Sequence, residues 1–174
     1  PTYFIINISA AVKKTSGIDR IEQLDGRTIS TTSGTTSVPL LRAYQRGKEV
    51  RVKEIYGKDH AESFLLMTED RAVAFLMDDI LLAGQIANAK KPELYKILPE
   101  SLRQEPYSMM LRKDDPQFKA LVDKAVGDVM RSGEINAIYD KWFMQPIPPR
   151  RLNLNFPLKD ALREAFKHPN DEGV

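Results

Sequence analysis

Three times between Thr28 and Ala89, a run rich in β-branched or apolar residues passes through a short polar loop into a helical pattern. The strand patterns are Thr28-Ile29-Ser30-Thr31, Val50 to Ile55 and Arg71 to Met77. The helical patterns carry Leu40, Leu41 and Tyr44, then Ala61 to Met67, then Ile80 to Ala89. Strands that alternate with helices through short connections predict parallel strands joined by right-handed crossovers, hence an α/β sheet. Gly47 reads as the end of the first helix. Tyr3 to Val12 reads as one or two strands before this block, followed by a short helix over Ile18 to Leu24.

The pattern changes after Ala89. Tyr95 to Leu98 and Tyr107 to Leu111 read as short strands. Asp114-Asp115-Pro116 is a helix-start signal, a capping Asp with Pro at the first position. Phe118, Leu121, Val122, Ala125, Val126, Val129 and Met130 then follow helical spacing. Ile135 to Met144, with Trp142, predicts a second helix and Leu158 to Phe166 a terminal one, beyond a proline-rich linker at Pro146, Pro148 and Pro149.

The 174 residues suffice for one compact domain or two small lobes. A formal charge of +2, with no basic cluster interleaved with aromatics, argues against a nucleic-acid or anionic-membrane partner. The chain has no cysteine and two histidines, His60 and His168, and no His, Asp and Glu set at close ligand spacing, so neither metal nor cofactor is expected. No apolar run approaches the ~20 residues that span a bilayer. Pro1 without a preceding signal reads as a mature, processed or truncated chain.

In open α/β sheets, ligands bind at the carboxyl ends of the strands, which directs attention to three loops. Ser33-Gly34-Thr35-Thr36-Ser37 leads into a helix whose free N–H groups could hold a carboxylate or phosphate, or its hydroxyls could simply cap that helix. The Gly-Lys-Ser/Thr ending of a P-loop is absent. His60 opens the second helix, either as a surface residue or as a cationic donor beside a bound carboxylate. Asp78 ends the third strand, as an N-cap or as an acceptor for a ligand ammonium, with Asp79 competing for either task. An anion-binding helix start, a histidine and an aspartate at one sheet edge suit a zwitterion, an amino acid with an acidic side chain. A hydrolytic triad of Ser33, His60 and Asp78 is the weaker alternative, since no nucleophile-elbow motif is present.

Thr32-Ser33-Gly34-Thr35-Thr36-Ser37, Lys58-Asp59-His60 with Ser63-Phe64, Met77-Asp78-Asp79 with Leu82-Ala83-Gly84, Met110 to Lys119, and Lys141-Trp142-Phe143 before Pro146-Ile147-Pro148-Pro149 resemble the periplasmic glutamate/aspartate-binding proteins of bacterial ABC transporters. The resemblance runs from about Thr2 to near Asp171. It implies the type II periplasmic-binding-protein fold, two α/β lobes joined by crossover strands with the ligand between them. It also implies a non-enzymatic solute-binding role in the periplasm, with L-glutamate or L-aspartate as ligand and an inner-membrane permease and its ATPase as partners.

By resemblance, Thr36 with Thr35 and Ser33 beside it holds ligand carboxylate, His60 contacts an acidic side chain, and Asp78 pairs with the α-ammonium. Residues 1–110 would form the second lobe with its crossover strands. Residues 111–174 would be helices that belong to the first lobe, whose N-terminal sheet and carboxylate-gripping arginines and serines have no counterpart here. A fragment or truncation of this kind leaves an apolar helix face bare. Each such side chain forfeits roughly 1.5 to 3 kcal/mol, which points to a homo-oligomer, folding back or rearrangement. A dehydratase-like enzyme on the same fold, or a truncated oligomerising module that binds no ligand, are the alternatives.

Overall fold

The strand–loop–helix pattern forms as β2 (Thr28–Thr32), α1 (Ser37–Lys48), β3 (Lys53–Gly57), α2 (His60–Thr68), β4 (Ala74–Asp78) and α3 (Asp79–Ala87). In this computed structural model, which describes residues 1–48 and 50–173, the chain folds as two units. One is Asn7–Gln104; the other joins Pro1–Ile6 to Glu105–Val174. The chain passes between them within β1 (Phe4–Lys13) and again within β6 (Arg103–Tyr107).

In the Asn7–Gln104 unit, β2 pairs in parallel with β3, from Thr28 opposite Lys53 to Thr32 opposite Gly57, and with β4 at Ile29–Ala74 and Ser30–Phe75. The sheet is mixed rather than wholly parallel. β1 runs antiparallel to β4, with Ile8 opposite Asp78, and to β5 (Tyr95–Ile97), giving the order β3-β2-β4-β1-β5 with β6 also on β1. Every residue of β4 is buried, as expected of a strand covered on both faces. Phe75, Met77, Ala11, Phe64, Met67 and Leu82 form the core there, and the Phe64 and Tyr95 rings meet edge to face at 5.3 Å.

Several boundaries differ from the sequence expectation. The strand expected over Val50–Ile55 forms over Lys53–Gly57, where Lys53 N–H donating to Arg27 O starts the pairing. Arg71 and Ala72, read as strand, instead donate their N–H groups to Leu66 O at the end of α2, so β4 begins at Ala74. The first helix runs through Gly47 to Lys48. The strand expected over Tyr107–Leu111 lies at Arg103–Tyr107, and Met110 is 97% exposed.

In the other unit, α4 (Pro116–Arg131) starts where Asp115 Oδ1 accepts the Phe118 N–H at 3.0 Å. α5 (Glu134–Tyr139) ends short of the expected Met144, because Asp140–Met144 forms a π-helical turn. α6 spans Asp160–Lys167 and packs on α4. Phe4, Tyr107, Tyr139 and Phe143 form an aromatic cluster, and Tyr139 Oη–H donates to Phe156 O. The apolar stripe of α4 is only partly covered: Met130 is buried, while Phe118 and Leu121 are exposed.

Candidate functional site

The carboxyl ends of β2, β3 and β4 share one edge of the sheet, because the three strands are parallel neighbours. All five expected site residues stand at this edge, within the Asn7–Gln104 unit. At the end of β2, the Ser33 N–H donates to Gly57 O at 3.0 Å and fixes where the loop leaves the sheet. Gly34 turns it with φ +75°, a conformation that L side chains rarely adopt. Thr35 Oγ1–H donates to Thr32 O at 2.8 Å. Thr36, at the threshold of α1, offers its carbonyl to Leu40 N–H. The side chains of Ser33 and Thr36 are solvent-exposed, whereas Ser37 is fully buried with its hydroxyl 3.8 Å from Met77 Sδ. The loop therefore presents hydroxyls and a helix start to solvent.

At the end of β3, Gly57 lets α2 approach closely: a Cβ there would lie 2.4 Å from Ser63 Oγ. Asp59 caps α2 by accepting the Glu62 N–H at 2.8 Å, and Glu62 returns to the Lys58 N–H at 2.8 Å. Capping belongs to Asp59, which leaves His60 to turn toward β2. Half-buried, its Nδ1 lies 2.9 Å from Thr32 Oγ1, which in turn lies 2.9 Å from Ser63 Oγ. Ser63 Oγ–H faces the carbonyls of Asp59 at 2.9 Å and Thr31 at 3.1 Å.

At the end of β4 the two aspartates divide their tasks. Asp79 accepts the Asn7 N–H at 3.2 Å, the Asn7 Nδ2–H at 2.9 Å and the Ile80 N–H at 2.9 Å, so it ties α3 to β1. Asp78 stands at the N-cap position of α3, yet its side chain does not cap that helix. Its carboxylate is buried at the sheet edge.

Thr32 and Ser63 were absent from the expected set, although they link the first two loops. The signal was available: Ser63 is three residues from His60, on the same helix face, and is a small polar residue in an apolar helix. The weaker triad arrangement is not built. Nδ1 of His60, the atom a triad aspartate would orient, faces Thr32. Among the described residues, no group of three or more His, Asp and Glu side chains could hold a metal ion, and no helix is long and apolar enough to cross a membrane.

Residues 2–145 match the family of bacterial extracellular solute-binding proteins, family 3. The chain belongs to this family. It is 44% identical over 173 residues to the glutamate/aspartate import solute-binding protein of Escherichia coli (strain K12), covering 99% of this chain and 57% of that protein. It is 48% identical over 164 residues to the L-glutamate/L-aspartate-binding protein of Pseudomonas aeruginosa, covering 93% of this chain and 54% of that one. This solute-binding family member thus spans about half the length of the curated relatives it matches.

Solved structures show the same fold. The ABC transporter/periplasmic binding protein from Brucella ovis with glutathione bound matches 79% of this chain and 43% of its own at a TM-score of 0.71 and 20% identity. The GluR0 ligand-binding core from Nostoc punctiforme in complex with L-glutamate matches 82% of this chain and 63% of its own at a TM-score of 0.63 and 24% identity. These neighbours establish the type II periplasmic-binding-protein fold.

Proposed function

We propose that this chain carries a ligand-binding lobe of an acidic amino-acid-binding protein of an ABC transporter, and that L-glutamate or L-aspartate binds outside the carboxyl ends of β2, β3 and β4. The observation that carries this reading is the meeting of an open helix start, an imidazole and a buried carboxylate at one sheet edge. The names of the 44% and 48% identical relatives, which specify glutamate and aspartate, support the ligand. Thr35 and Thr36, with Ser33 beside them, take a ligand carboxylate at the start of α1. Asp78 pairs with the α-ammonium and His60 with the side-chain carboxylate. The role is binding in the periplasm and delivery to an inner-membrane permease and its ATPase, without a chemical step or a cofactor.

The same reading assigns residues 1–110 to the second lobe of such a protein with its crossover strands, and residues 111–174 to helices of the first. The exposed Met109, Met110, Phe118 and Leu121 in the latter then favour association with a second copy of this chain. Sedimentation over a concentration series should show self-association that Leu121→Glu weakens; a monomer throughout would remove the oligomer from this reading.

The ligand is tested by NMR titration of the labelled chain with L-glutamate up to high millimolar concentration. Saturable shifts at the backbone amides of Thr35, Thr36, His60 and Asp78 are expected. A folded protein whose spectrum stays unchanged there would exclude this site for acidic amino acids.

A further inference from the structure

The hydroxyl chain behind His60 has one assignment of hydrogens that leaves the fewest lone pairs opposed. Ser63 has a single hydroxyl proton, and its Oγ lies near two carbonyls, Asp59 O at 2.9 Å and Thr31 O at 3.1 Å, which can only accept. That proton is directed to a carbonyl, so at the 2.9 Å contact between the hydroxyls Thr32 donates and Ser63 accepts. The Thr32 proton is then committed. Its oxygen can meet His60 Nδ1 at 2.9 Å only by accepting, which places a proton on Nδ1. The reverse polarity would set the Ser63 lone pairs against both carbonyls. Thr32 and Ser63 are both buried, 4% and 0% exposed, so protein atoms dictate this order.

We propose that Thr32 and Ser63 are positioning residues that hold His60 as the Nδ1–H tautomer and thereby make the site's choice between an acid and its amide depend on protonation. This rests on the reading of His60 as the group that meets the ligand side chain. With Nδ1 committed inward, Nε2 is the free nitrogen. In neutral His60 it carries a lone pair, which repels a carboxylate and accepts an N–H from a side-chain amide. In charged His60 it carries a proton and donates to a carboxylate. Binding of glutamate therefore takes up a proton, whereas glutamine does not require one.

Charged groups also stand on the elements around His60. On or beside α2, Asp59 and Glu62 are engaged with the helix's own N–H groups. From β3, Glu54 pairs with Arg42. From α3, Asp79 holds Asn7, and from β4, Asp78 stands at the same edge. β2 contributes Thr32, the one hydrogen-bond partner of the ring among the described residues.

Two measurements on the intact chain test this. Ring 15N correlation spectra of the ligand-free protein, with His168→Gln to isolate one histidine, should show the neutral ring of His60 protonated at Nδ1; protonation at Nε2 overturns the inference even if glutamate binds. Calorimetric affinities for L-glutamate and L-glutamine should then show the glutamate-to-glutamine preference falling about tenfold or more between about pH 5.5 and about pH 8, because glutamate binding takes up a proton. A preference that does not move overturns it.

Thr32→Val, or Ser63→Ala should the first not fold, frees the Nε2–H tautomer and should flatten the pH profile of that preference, while Thr32→Ser should restore it. Equal loss for both ligands at every pH would leave Thr32 a packing role only and overturn the proposal. If neither ligand binds at either pH, the acidic-ligand reading and the selectivity fall together, and the ring spectrum still decides whether the hydroxyl chain sets the tautomer.

Discussion

Asp79 receives hydrogen bonds from Asn7 N–H, Asn7 Nδ2–H and Ile80 N–H, whereas the Asp78 carboxylate does not cap the helix it precedes. Asp79→Ala strands the buried polar groups of Asn7. Urea denaturation should therefore show a loss of about 1–3 kcal/mol. Asp78→Asn nearly preserves shape but removes the charge that the proposed site offers to a ligand ammonium; on that proposal calorimetry should show glutamate binding weakened about tenfold or more, with a smaller effect on stability than Asp79→Ala. A reversed ranking of the two variants in these assays would exchange their roles. The sequence left the pair undecided because the deciding partner, Asn7, lies on another strand. The position of Ser33, Thr35, Thr36, His60 and Asp78 at one sheet edge was legible because strand-to-helix loops mark that edge; Ser63 was signalled only by its spacing from His60, and its contact with Thr32 was not legible, because a hydroxyl pair across two elements leaves no local pattern. Gly57 is another contact of this kind. Gly57→Ala would press a methyl group onto Ser63 and should cost roughly 1–3 kcal/mol in the same denaturation assay.

Among the elements, α4 was the most readable, since the Asp115-Pro116 start and the apolar periodicity agree. Its cap is also a pH-sensitive feature. The Arg112 guanidinium and then the Phe118 N–H hold the Asp115 carboxyl below its usual range. A carboxyl whose folded value is depressed adds stability above its unfolded value, near ~3.9, and loses it as the pH falls through the folded value. Asp115→Ala should lower the melting temperature near neutral pH and converge with the parent in strong acid, followed by circular dichroism; a constant difference across the range would remove the carboxylate from the account. β6 was less readable. Arg103-Gln104-Glu105-Pro106-Tyr107 lacks an apolar alternation, and its pairing is set by β1, whereas Met109 and Met110 offered a false apolar run. Nor does the composition of β1 encode its antiparallel direction, which follows from pairing with β4 and β5.

Over the whole molecule, the buried apolar side chains are unevenly shared. Of the 28 among the described residues, 20 lie in Asn7–Gln104 and eight in the unit of Pro1–Ile6 with Glu105–Val174. Since burial of such groups is the main stabilising term, the former unit holds the more resistant structure. Native-state hydrogen exchange should therefore find the slowest amides in β2 and β4, with those of α4 and α6 exchanging sooner. If α4 exchanged as slowly as β4, its exposed Phe118 and Leu121 would have to be covered in solution, and the rates should then accelerate on dilution. Glutamate adds a second axis to the experiment. A ligand held by the loops after β2, β3 and β4 should slow exchange first at Thr35, Thr36 and the start of α2, because binding stabilises only the states in which those loops are closed onto it. Protection that instead appears in α4 or α6 without any at these loops would move the binding site away from the sheet edge.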